Sequence, residues 1–105
     1  MIVVTTDTVP GRPVLQTLGL VRGNVVRSRH LGRDVTAVLK NLVGGEIDEY
    51  TKLLAESREQ ALDRMIAEAR EKGADAIVGA RFASSEIARG AAEILVYGTA
   101  VKLGP

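Results

Sequence analysis

Glu68-Ala69-Arg70-Glu71-Lys72-Gly73-Ala74-Asp75-Ala76-Ile77-Val78-Gly79 joins a charged helix end to an apolar strand with no loop between them. Glycine is the usual left-handed residue after a helix, so the spacing predicts a helix ending at Lys72 with Gly73 as its stop. Upstream, Asp48 suits the N-cap and Glu49 the positive end of the helix dipole. The helix so bounded would be ~36 Å long. Downstream, Ala76 to Ala83 reads as a strand and Ile94 to Leu103 as a second, joined by a turn near Ala88-Arg89-Gly90. A long helix feeding directly into a hairpin is an α+β arrangement, with the helix laid on an antiparallel sheet.

The N-terminal half supplies more strand. Ile2 to Thr5 is β-branched and short. Val9-Pro10-Gly11-Arg12-Pro13 interrupts it, with Pro10-Gly11 suited to the centre of a type II turn. Val14 to Arg27 reads as a long strand, and its internal glycines, Gly19 and Gly23, are expected to mark bulges or bends. Fully extended it would span roughly 46 Å, so bending is expected in so small a domain. Leu31, Val35, Val38, Leu39 and Leu42 then follow the spacing of one helix face, and Gly44-Gly45 ends that helix.

The chain has 105 residues, 46% of them apolar, and reads as one domain spanning residues 1–105. Aromatics are confined to Tyr50, Phe82 and Tyr97, so the core is aliphatic and no platform for stacking bases is present. Cysteine is absent, which excludes disulfides and thiolate metal sites and fits a reducing compartment. The start of the chain lacks the pattern of a signal peptide, and no stretch approaches the ~20 apolar residues of a membrane span. A soluble cytoplasmic protein with no membrane partner is expected. Charge is uneven: Arg12, Arg22, Arg27, Arg29 and Arg33 face Asp7 alone in residues 1–33, within a chain of net charge +1. Such asymmetry suits either an anion-binding face or complementary surfaces that meet when copies assemble.

Apolar surface exceeds what one copy can hide. Tyr50, Leu53, Leu54, Ala61, Leu62, Met65, Ile66 and Ala69 cover well over the ~100° stripe needed to lie on one sheet. In the last strand Leu95, Tyr97, Val101 and Leu103 share one face while Ile94, Val96 and Ala100 share the other. A sheet wet on one side should alternate more cleanly. An obligate oligomer follows, against the plainer alternative that the helices and N-terminal segment wrap both faces of a monomer.

Motifs for chemistry are missing. No phosphate-binding glycine loop and no G-x-S-x-G elbow occurs. His30 is the sole histidine and, beside Arg29, reads as a surface residue at a helix junction. Hard cations could use Asp34, Glu46, Asp48 and Glu49, yet no calcium-loop spacing is present and capping explains the last two. A symmetric ring could still build a metal site from one His or Glu per subunit. Arg22, Arg27, Arg29, His30 and Arg33 could touch nucleic-acid phosphates, but near-neutral charge and the lack of any recognised module argue against it. Glu68 falls on the apolar side of the long helix and should need a partner such as Arg58, Arg64 or Arg81.

Thr5-Thr6, Gly19-Leu20-Val21-x-Gly23, Arg33-Asp34, Val43-Gly44-Gly45 and Tyr50 are joined by Glu68-Ala69, Gly73 to Gly79 and Gly98-Thr99-Ala100-Val101-Lys102. With these segments the whole chain resembles the small bacterial YbjQ-like family. The resemblance implies a dodecin-subunit-like β-α-β-β fold with an antiparallel sheet packed on helices, an extra short N-terminal strand, and subunits joined in a pentameric ring. The family carries a heavy-metal-binding label, for which this chain lacks the cysteine pair of true heavy-metal carriers.

The expected function is that of a non-enzymatic homo-oligomer, a binding or scaffold protein whose partner is itself. Arg33, Asp34, Tyr50, Arg58, Glu68 and Asp75 are the polar positions marked as ligand or interface candidates. Asp75 is expected to satisfy backbone donors at the strand start. No catalytic residue, metal ligand or cofactor is assigned. The alternatives are metal binding through a symmetric or carboxylate site, and an enzyme with a composite active site between subunits.

Overall fold

In a computed structural model that describes residues 1–28 and 48–105, the backbone alone for 48–50, one long helix lies across a four-stranded sheet. The strands are β1 (Ile2–Val3), β2 (Val14–Ser28), β3 (Ala76–Ala88) and β4 (Ala91–Leu103), and the helix is α1 (Asp48–Glu71). Sheet order is β1-β3-β4-β2. The three long strands are antiparallel neighbours, as expected, whereas β1 adds to β3 in parallel, so the sheet is mixed. The first helix, expected around Leu31–Leu42, lies outside the described residues.

The turns follow from local chemistry. Arg12 N donates to Val9 O at 3.1 Å and Gly11 sits at φ +81°, as the third position of a type II turn requires. At the end of α1, Gly73 takes φ +77°, its N–H reaches Arg70 O at 3.0 Å and Ala74 N reaches Ala69 O at 3.0 Å. These are the two bonds of a Schellman cap, which satisfy carbonyls the helix cannot pair itself. Asp75 N then bonds Val101 O at 2.9 Å, so the strand begins one residue past the cap.

Every fourth residue of α1 meets the sheet. Ala61, Met65 and Ala69 are fully buried beside Val21, Val25, Ile94, Val96 and Ala100, with Ile77 and Ala80 from β3. The two internal glycines of β2 behave differently. Gly19, at φ +110°, stands at a register shift in the pairing with β4, the expected bulge. Gly23 does not bend the strand, because pairing runs without interruption from Leu20 to Ser28. It is instead the point of closest approach of the helix: a Cβ there would lie 2.0 Å from the Ala61 carbonyl oxygen and 2.6 Å from Met65 N.

Among the described residues, the opposite face of the sheet is half covered. Ala76, Val78, Val101 and Leu103 form a second cluster beneath Ile2, Val4 and Val9, so the N-terminal segment wraps one end. Toward the other end Leu20 is 60% exposed, Val26 52% and Tyr97 39%. The shape is elongated, 54 × 22 × 17 Å with a radius of gyration of 17.3 Å, against about 13 Å for a compact domain of 100 residues.

Candidate functional site

An α-helix is ~10 Å across and three adjacent strands span ~14 Å. Because α1 sits over β2 and β4, it leaves the far half of β3 bare on the helix side. Cross-strand register aligns Phe82 with Val96, Ser84 with Ile94 and Glu86 with Ala92, so all three stand on the helix side. Phe82 is 53% exposed there. The result is a cleft of about 340 Å³ between α1 and the β3–β4 hairpin, lined by Leu54, Arg58, Phe82, Ala83, Ser84, Ala92 and Ile94. Its floor is apolar, and its polar groups are the Arg58 guanidinium and the Ser84 hydroxyl. Such a lining can hold an apolar side chain or ligand beside the Arg58 cation; among the described residues that line it there is no base to activate the serine.

A polar network adjoins the cleft. Ser57 is fully buried on α1, and Arg27, the cross-strand partner of Ala92, reaches up to it. Arg27 Nε donates to Ser57 Oγ at 2.9 Å, Ser57 Oγ donates to Leu53 O at 2.7 Å, and Arg27 Nη2 donates to Gln60 Oε1 at 2.6 Å. One turn further, Arg64 Nη1 donates to Asn24 O at 2.6 Å. These bonds tie the helix to β2 and explain how a buried hydroxyl and a half-buried guanidinium are tolerated. Sequence reasoning passed over Ser57; its signal is position, four residues from Leu53 and four from Ala61 on the apolar stripe.

Of the three candidates whose side chains are described, Arg58 lines the cleft and Glu68 and Asp75 do not. Glu68 lies ten residues along the same helix, about 15 Å away. It is half-buried, and of the arginines expected to pair with it Arg64 bonds Asn24 O, Arg81 bonds Thr5 O and Ala80 O, and Arg58 lines the cleft. Asp75 has the structural role expected of it, with its Oδ2 accepting Leu103 N at 2.9 Å. Arg33, Asp34 and the Tyr50 side chain lie outside the described residues. Leu54, Phe82 and Ser84 were not marked from sequence, since only the sheet register brings them together.

Residues 1–104 match a family described as "Putative heavy-metal-binding". Among similar proteins, a UPF0145 protein of Fervidobacterium nodosum is 61% identical over 103 residues, covering 98% of this chain and 95% of that one. A UPF0145 protein of Shewanella frigidimarina is 55% identical over 105 residues, covering 100% and 98%. A solved structure from Pediococcus pentosaceus, a protein of unknown function in the DUF74 family, superimposes with a TM-score of 0.67 at 14% identity, covering 98% and 97%. The fold is therefore shared with a solved protein.

The donor set of the described residues does not fit a soft heavy metal. The chain has no cysteine, and of its two methionines Met65 is sealed in the core while Met1 is exposed. Among the described residues no three His, Asp or Glu side chains gather where they could hold an ion. Nor is any described helix long and apolar enough to cross a membrane.

Proposed function

Because this chain belongs to the YbjQ-like family and its donor set does not suit a soft metal, we propose that it acts as a homo-oligomeric binding or scaffold protein, five copies to a ring. Any ligand would sit at the axis or between subunits, where side chains from two copies converge. One observation carries this: Leu20, Val26 and Tyr97 stand exposed on the sheet face that α1 does not cover. Covering large aliphatic and aromatic groups of this kind stabilises an interface by ~1 kcal/mol or more apiece. Support also comes from the elongated shape, which leaves one copy with too little interior for its apolar content.

The test is the mass in solution. Light scattering on the purified protein at micromolar concentration should give a single species at a multiple of the 11.2 kDa chain mass, with five as the multiple. A stable monomer would end the proposal.

A further inference from the structure

Among the described residues two strand edges are open, on opposite sides of one sheet. On one side β2 is the outermost of the described strands, and its ladder partner among them is β4. On the other, the N-terminal segment accompanies β3 and then stops. Val4 N bonds Ile77 O at 2.9 Å, Gly79 N bonds Thr6 O at 2.8 Å and Ala80 N bonds Val4 O at 3.0 Å. Arg81 Nη1 reaches Thr5 O at 2.8 Å. From Phe82 to Ala88 the outer edge of β3 has no partner among the described residues, and all seven residues are exposed.

The two edges match each other. Past its bulge at Gly19, β2 runs in regular register from Leu20 to Ser28, long enough to lie along Phe82–Ala88. Neither stretch contains proline or lysine, and their charges are of opposite sign, Arg22 and Arg27 on one edge and Glu86 on the other. Both strands are antiparallel to β4, so β2 and β3 point the same way. Rotation about an axis near the strand direction preserves that polarity, so a second copy brings its β2 parallel to β3 of the first. The contact is head-to-tail: it uses one edge from each copy and leaves each copy one edge for the next.

The helix layer favours the same partner. A copy added through its β2 carries its own α1 over that strand and sets it beside Phe82. The strip that the described residues leave bare on the helix side is then filled, and the cleft between Arg58 and Ser84 gains a further wall. We infer that the Leu20–Arg27 edge of one copy pairs with the Phe82–Ala88 edge of the next, and that the Phe82 cleft is completed by the neighbour's helix. This inference rests on the assembly proposed above and specifies its contact.

The cysteine-free chain allows a direct test. Asn24→Cys places a thiol on β2 and Ser85→Cys one on β3, both exposed and on the same face of the sheet. Each variant and a co-refolded mixture are treated with a short bismaleimide, with light scattering on the same samples. Covalent dimers in the mixture, absent from either variant alone, are expected, together with a ladder of larger products from the double variant. Dimers from Asn24→Cys alone would mean that β2 pairs with β2 and would overturn the inference. An oligomer by scattering without β2–β3 cross-links overturns the edge pairing and leaves the assembly standing. A monomer overturns both.

Discussion

At Gly23 a single hydrogen atom sets the distance between helix and sheet. A methyl group there would collide with backbone, the Ala61 carbonyl oxygen and Met65 N, and not with a side chain that could turn aside. Gly23→Ala should therefore lift α1 from β2 and cost about 3 kcal/mol, read as a lowered urea midpoint. Gly11→Ala is the comparison: nothing lies within 4 Å, but φ is +81°, so only the left-handed strain of ~1 kcal/mol applies. The same close approach gives Ser57 its role. Ser57→Ala removes the oxygen that receives Arg27 Nε and should cost ~1–2 kcal/mol. A double-mutant cycle with Arg27→Ala should return a coupling of roughly 1 kcal/mol; zero coupling would show the bond to be incidental.

Among the elements, α1 and its exit show what a sequence reveals. The Gly73 cap was legible because both bonds that build it are local, between Ala69 and Ala74. The Val9–Arg12 turn and the bulge at Gly19 were legible for the same reason. Gly23 was misjudged because a strand glycine can signal a bend or an intimate contact, and only the packed helix decides between them. The parallel addition of Ile2–Val3 to β3 joins segments more than seventy residues apart, which no local pattern encodes. The cleft was invisible on similar grounds, being a product of β3–β4 register and helix width; Arg58 alone was singled out beforehand. Gly73→Ala should destabilise by ~1 kcal/mol, since the residue sits at φ +77°. Asp75→Ala should free the Leu103 amide, costing ~1–2 kcal/mol. Faster hydrogen exchange at Leu103 would report the loss, while Asp75→Asn, which keeps an acceptor, should preserve most of the protection.

For the molecule as a whole, the decisive quantity is apolar area left in water. Leu20 and Val26 occupy one strand, on the face opposite α1, and neither contributes to the core. Replacing both by aspartate should leave the fold of one copy nearly unchanged, within ~0.5 kcal/mol per site for exposed positions. The same changes should lower the assembled mass by light scattering at micromolar concentration. Unchanged circular dichroism together with a fall in mass is the expected pair of results. If the mass stays constant, that face is not part of the subunit contact.

The clasp at the end of β4 has a practical reach. Arg12 Nε holds the Gly104 carbonyl at 3.1 Å and Gly104 N bonds Pro13 O at 2.8 Å, while Ile2 lies alongside Ala76 and through it Val101. Position 1 and position 105 thus emerge at a common pole, separated from the hairpin tip by the 13 residues of β4, about 40 Å of extended chain. Fluorophores or peptides grafted at either point would hang clear of the cleft, and a closed assembly would display them as a crown along one rim.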